Sequence, residues 1–249
     1  MKTNFLKVAM LALCVAPLSV LANSTHWGYE GNGAPEHWGN LDEAFKTCQS
    51  GTSQSPVNIS SQSVHNQQLA ELDVQYADGP STLLNNGHTL QAEMSSYTPD
   101  SIQVGSDVYT LKQFHFHAPS ENTIDGKHYA LEMHLVHQDR AGKIAVVAVM
   151  FDIGEPNDAL ESLWQSIPST GGNTPLFLPV NINELLPADK NYWRYNGSLT
   201  TPPCSEHVSW FVMKSPLTLS QEQLSKFKEA IPHNNNRPVQ PLNGREVVE

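Results

Sequence analysis

Gln113-Phe-His115-Phe-His117 sets two imidazoles two residues apart. The Val108-Tyr-Thr-Leu-Lys112 before it is β-branched and aromatic, which predicts an extended strand. A side-chain period of two then places Tyr109, Leu111, Gln113, His115 and His117 on one face, with Phe114 and Phe116 on the other. Two imidazoles on one rigid face can grip a single metal ion. The segment from His128 to His137 supplies a third ligand. If it is the neighbouring strand, Glu132, His134 and Val136 share one face, and Met133, Leu135 and His137 share the other. The phase selects His134 over His137. An isolated His-X-His is more often a pair of buried histidines satisfied by hydrogen bonds. The third histidine in phase, with Gln113 and Glu132 placed to orient imidazoles from behind, favours a metal. Three neutral protein ligands and one open position are the pattern of catalytic zinc rather than structural zinc.

The elements that must position these residues are mostly strands. Short β-type runs occur at 72–76, 88–94, 102–104, 108–117, 129–137, 144–151 and 207–213. Turn formers such as Asp78-Gly-Pro80, Asn86-Gly87, Asp125-Gly126 and Ala141-Gly142 separate many of them. Two helices are expected. Asn157 caps one, with Leu160, Leu163, Trp164 and Ile167 on its apolar face, and Ser220 with Gln223 forms a capping-box pattern before Leu224, Phe227 and Ile231. No repeat, low-complexity tract or long linker divides the chain, so one predominantly β (α+β) domain is expected.

Residues 1–22 read as a secretory signal. Lys2 and Lys7 precede an apolar run from Val8 to Leu21, and Val20-Leu-Ala22 is a small-residue cleavage site. The run is short for a membrane span, so an exported chain of residues 23–249 is expected, periplasmic or secreted and without an anchor once the signal is removed. Losing Lys2 and Lys7 takes the formal charge from −11 to −13. That charge argues against nucleic acid or an anionic membrane as partner. Cys14 leaves with the signal, and Cys48 and Cys204 remain as an even pair in an oxidising compartment, which reads as one disulfide.

The motifs Gln113-Phe-His-Phe-His117, Glu132-Met-His-Leu-Val-His137, Gln54-Ser-Pro-Val-Asn-Ile59 and Gly197-Ser-Leu-Thr-Thr-Pro-Pro-Cys204 together resemble those of the α-class carbonic anhydrases. The resemblance runs from His26-Trp-Gly-Tyr29 to Asn236-Arg-Pro-Val-Gln-Pro241, nearly the whole mature chain. It implies a large twisted, mostly antiparallel sheet of about ten strands with a few short helices. The implied reaction is reversible, zinc-dependent hydration of carbon dioxide to bicarbonate and a proton by a zinc-bound hydroxide. The implied partner is this small-molecule substrate, and a homodimer is compatible with the family.

The resemblance also assigns roles. Zn²⁺ falls to His115, His117 and His134, with Gln113 and Glu132 behind them. Thr200 accepts the hydroxide proton and donates to Glu121, and His88 after Asn85-Asn86-Gly87 shuttles protons. Val136, Val146, Leu199, Thr200, Thr201, Val208 and Trp210 bind substrate, Asn86 and Gln91 fall on the polar side, and Tyr29 at the rim. Ser55-Pro56 and Pro202-Pro203 match cis bonds of the family. One residue departs from the pattern: Asn122 stands where the family commonly has His after Ser-Glu, which touches the hydrogen-bond network around Glu132. Two competing classes are a catalytically weak binding or adhesion protein on the same fold, which predicts a missing histidine ligand, and a zinc hydrolase. All three histidines are present, and no His-Glu-X-X-His motif accompanies them.

Overall fold

The structure is a computed structural model that describes residues 26–95, 100–177 and 180–249. The expected signal, residues 1–22, lies outside the described residues. The strands in chain order are β1 (Asn58–Ile59), β2 (Leu72–Gln75), β3 (Pro80–Asn85), β4 (Leu90–Met94), β5 (Ser101–Val104), β6 (Asp107–His117) and β7 (Thr123–Ile124). They continue with β8 (Leu131–Gln138), β9 (Ile144–Ile153), β10 (Asn173–Pro175), β11 (Tyr192–Ser198), β12 (Glu206–Met213) and β13 (Leu217–Leu219). Four short α-helices accompany them: α1 (Trp38–Leu41), α2 (Thr47–Ser50), α3 (Asp158–Trp164) and α4 (Gln221–Ala230).

Eleven strands form one mixed sheet along the path β10-β3-β4-β6-β8-β9-β12-β11, with β5 also on β6, β2 on β5 and β13 on β9. Its neighbours are antiparallel except at β9–β12 and β9–β13. The central strand β9 reads Ile-Ala-Val-Val-Ala-Val-Met-Phe, a continuous apolar run, because both of its faces are covered. Ala145, Val147, Val149 and Phe151 join the larger core with Phe114, Phe116, Met133 and Leu135. Val146, Ala148 and Met150 face a smaller cluster with Val208, Trp210, Val212 and Tyr195. The sheet is therefore a wall between two apolar layers, and the histidine face belongs to the smaller one. Burying Phe114 and Phe116 completely contributes about 1.5–3 kcal/mol each, which anchors the strand that carries the imidazoles.

Strand β6 corrects one expectation. Tyr109 and Leu111 do not share the face of Gln113, His115 and His117; both lie in the larger core with Phe114 and Phe116. The β6–β8 register shifts between Leu111 and Gln113, an irregularity of the bulge type. One extra residue moves every later side chain to the opposite face. The run 88–94 likewise shortens to Leu90–Met94, which leaves His88 in the preceding turn.

The two helix caps form as their residues imply. Asn157 Oδ1 accepts from Leu160 N at 3.0 Å. Ser220 and Gln223 exchange two backbone–side-chain bonds, both 3.1 Å. Helix α3 ends at Trp164, so Ile167 packs on the core from beyond the helix. Cys48 and Cys204 are disulfide-bonded with Cα atoms 5.0 Å apart. The bridge ties α2 to the segment that follows Thr200.

Candidate metal centre

In the antiparallel β6–β8 register His115 stands opposite His134 and His117 opposite Glu132. One ring nitrogen from each of His115, His117 and His134 lies within 4.8 Å of the others. His117 and His134 are buried, and His115 is half-buried, so the cluster opens on the His115 side. Burial holds all three imidazoles below their ordinary value, well below it for His115 and His134. The charge of the neighbouring rings adds to that lowering at His115 and His134. Neutral rings keep a lone pair available for a cation.

The second nitrogen of each ring is already engaged. His115 Nδ1 meets Gln113 Oε1 at 2.8 Å, His117 Nδ1 meets the Asn235 carbonyl at 2.6 Å, and His134 Nε2 meets Glu132 Oε1 at 2.9 Å. All three acceptors are oxygens that cannot donate, so each ring nitrogen there must carry the hydrogen. That fixes the tautomers and leaves Nε2 of His115, Nε2 of His117 and Nδ1 of His134 bare. His117 Nε2 is buried with no hydrogen-bond partner. An unpartnered buried acceptor in a cluster of three fits a cation of the zinc type, whose imidazole ligands are held from behind in this way.

Glu132 is completely buried and accepts four hydrogen bonds. Oε1 receives Asn122 Nδ2 at 2.7 Å and His134 Nε2 at 2.9 Å; Oε2 receives Glu121 N at 2.7 Å and Asn122 N at 2.8 Å. Burial raises its carboxyl, and the donors from Asn122 and Glu121 oppose that rise. Asn122 is thus well suited to the place where the family commonly has His. Its amide donates to Glu132, while its oxygen accepts from Val57 N and Tyr195 Oη, both at 3.0 Å.

Glu121 is also fully buried. Burial pushes its carboxyl well above the usual range; the Arg237 N–H, the Thr200 hydroxyl and the Arg237 charge pull it back. Arg237 N donates to Oε1 at 2.8 Å, while Oε2 has no hydrogen bond of full geometry and lies 3.9 Å from His134 Nδ1. Thr200 is buried beside this group. The apolar residues expected near it gather in the smaller cluster: Val146, Val208 and Trp210 are buried, and Val136 and Leu199 pack against them. The Trp210 ring meets His134 edge to face at 4.9 Å. Thr201 is half-buried in the turn after Thr200. Gln91 sits opposite His115 across β4–β6.

Two parts of this arrangement had no role assigned from the sequence, although Arg237 lies inside the motif Asn236-Arg-Pro-Val-Gln-Pro241. Asn235 acts from 118 residues away: its carbonyl holds His117, and its amide donates to the carbonyls of Phe116 and His88 at 2.8 and 2.9 Å. Arg237 is buried and gives its guanidinium to Gln54 Oε1, Ser55 O and Cys48 O, each at 2.8 Å. Gly197 permits the approach of Ser55, since a Cβ there would stand 2.1 Å from Ser55 Oγ. The bonds Ser55–Pro56 and Pro202–Pro203 are cis, as is Ala118–Pro119 directly after His117. His88 stacks on Trp27 at 3.9 Å between ring centroids, near His26, Tyr29 and His233. Asn86 and His88 line a rim cavity of about 430 Å³ with His26, Tyr29 and His233.

A twisted sheet presents three neutral, pre-oriented imidazoles beside a buried carboxylate, a donor set that could hold a metal ion. A family model described as eukaryotic-type carbonic anhydrase matches residues 33–249. A carbonic anhydrase of Klebsiella pneumoniae is 55% identical over the full length of both chains. One of Pectobacterium carotovorum is 44% identical over the full length of both. Among solved structures, the α-carbonic anhydrase of Thermovibrio ammonificans, in complex with the inhibitor sulfanilamide, superposes with a TM-score of 0.88 at 45% identity, covering 90% of this chain and 99% of that one. The chain belongs to the α-class, eukaryotic-type carbonic anhydrase family.

Proposed function

We propose that this chain catalyses the reversible hydration of carbon dioxide with a zinc ion held by His115, His117 and His134. The observation that carries the reading is the tautomer pattern: Gln113, Asn235 and Glu132 each engage one nitrogen and leave the other bare within a common cluster. Zinc on three neutral ligands supplies a Lewis acid that lowers the pKa of a bound water to about 7, a magnitude for which carbonic anhydrase is itself the standard example.

The remaining work falls to side chains. The Arg237 N–H and guanidinium charge oppose the effect of burial and favour ionised Glu121, which can only accept, so a Thr200 hydroxyl bonded to it must donate. The Thr200 oxygen is then left to accept a hydrogen bond from the attacking oxygen, which turns that oxygen's lone pair toward the substrate. Val136, Val146, Leu199, Val208 and Trp210 offer an apolar wall to a substrate that makes almost no hydrogen bonds, with Thr201 beside it. His88 carries the released proton outward; an imidazole can take up and release protons near neutral pH. Its lowered pKa, caused by burial and then by His26 and His233, makes it a ready donor to buffer.

The Cys48–Cys204 bridge supports an exported protein, since such bonds persist in oxidising compartments. No helix among the described residues is long and apolar enough to cross a membrane. A stopped-flow assay of carbon dioxide hydration, run before and after treatment with chelator, tests the function. Activity lost on chelation and regained with zinc is expected. Hydration that survives complete metal removal contradicts the reading.

A further inference from the structure

The rim cavity beside His88 holds a second imidazole in an unusual setting. His233 lies in the segment after α4 and is half-buried. Its Nε2 stands 3.1 Å from the carbonyl of Gly87, the residue directly before His88. Its Nδ1 stands 3.2 Å from the carbonyl of Asn234. A carbonyl oxygen can only accept, and a neutral imidazole carries a single N–H. Neutral His233 therefore donates to one carbonyl and turns a lone pair on the other, whereas a proton taken up lets it donate to both. The ring stacks on Tyr29 at 5.8 Å, and Tyr29 meets His88 at 6.4 Å, so the two imidazoles share one aromatic neighbour and line the same cavity. His26 lies 6.0 Å from His88 on the same rim.

We infer that His233 is a second proton acceptor of the rim, receiving protons that His88 brings out and passing them to buffer. Each transfer moves one proton between neutral and cationic imidazole, and no other bond changes. The inference rests on the reading of His88 as the residue that carries protons outward. The charged and titratable groups facing His233 are His88, Tyr29, His26 and Glu30 across the cavity and Lys228 on α4. Charge on His233 disfavours charge on His88, so the two rings hold one proton between them more readily than two.

His233→Gln separates the two roles this side chain could have. A glutamine amide can still donate to the Gly87 carbonyl, yet it cannot titrate. The expected result for the zinc-loaded enzyme is a several-fold fall in kcat in dilute buffer, full recovery with added imidazole and unchanged kcat/KM. His233→Ala should behave the same way. If the glutamine variant matches the unaltered enzyme in dilute buffer, His233 carries no protons and the inference is overturned, whether or not the alanine variant is impaired. His88→Ala in the same buffers separates this from failure of the underlying reading: a variant with no buffer-dependent deficit removes the role of His88 itself. A deficit in His88→Ala together with an unaffected His233→Gln removes only the role of His233.

Discussion

Strand β8 carries two fully buried histidines three residues apart, and they face opposite layers of the protein. His134 points to the smaller apolar cluster, where Glu132 engages Nε2 and Nδ1 looks toward His115 and His117. His137 points into the larger core opposite Leu111, where the Tyr76 hydroxyl meets Nε2 at 2.6 Å and Nδ1 has only weak backbone neighbours, Leu135 and Ala145, without a well-formed hydrogen bond. Burial lowers both imidazoles, His137 to about 3. Equal burial gives unequal chemistry. What makes His134 a candidate ligand is the convergence of two other bare nitrogens on the same point, which only the register of β6 against β8 supplies. An unsatisfied nitrogen alone, as at His137, marks a buried polar group rather than a metal site.

The largest expected difference is in metal content. His134→Ala should lose zinc and all measurable hydration, while His137→Ala keeps one zinc per chain; elemental analysis of both variants reads this. Equal zinc loss in the two would show that the faces of β8 are not distinct. Next comes Thr200→Ala, which keeps zinc but removes the hydroxyl between Glu121 and the attacking oxygen. Loss of one such positioned polar group lowers kcat by about a hundredfold, and full activity would leave Thr200 with packing alone. Glu132→Gln should weaken zinc binding by about 10- to 100-fold, the usual cost of removing a group that orients a ligand; competition with a chromogenic chelator measures it. Tyr76→Phe, the equivalent cut behind His137, should leave zinc affinity unchanged.

A separate effect is on acid stability. His137 is neutral in the folded protein down to pH about 3, whereas the unfolded chain binds the proton below its ordinary value of 6.5. Between those limits the unfolded state holds more protons, so stability falls as pH falls, by up to roughly 1.4 kcal/mol per pH unit from this group. His137→Gln should flatten the urea-midpoint profile between pH 6.5 and pH 4. A slope equal to that of the unaltered protein would assign the acid sensitivity to other groups.

The shared face of the three histidines was legible because a strand's period of two is a strong constraint over Gln113 to His117 and over Glu132 to His134. The same rule failed two and four residues upstream, at Leu111 and Tyr109, because a bulge leaves no mark in residue type. The caps at Asn157 and Ser220 were legible since capping is a local contact between a side chain and the next turn. Strands β10 and β13 escaped notice because they have three residues each, and β11 because Arg194, Asn196 and Gly197 break the apolar pattern. Asn235 was silent, and Arg237 was visible only inside the motif Asn236-Arg-Pro-Val-Gln-Pro241 without a role, because their work is done through backbone groups and long-range contacts, to His117 and Cys48, that no local pattern encodes. The replacement at Asn122 could be seen, but its adequacy depended on three partners of its side chain, Glu132, Val57 and Tyr195, being in place at once.

The central claim is that the three bare nitrogens of His115, His117 and His134 hold one catalytic zinc. The most direct measurement adds zinc stepwise to chelator-treated protein while following the rate of carbon dioxide hydration. The rate should start near the uncatalysed value, rise linearly and stop rising at one zinc per chain. A rate already at its plateau before zinc is added, or no rise after several equivalents, would contradict the claim.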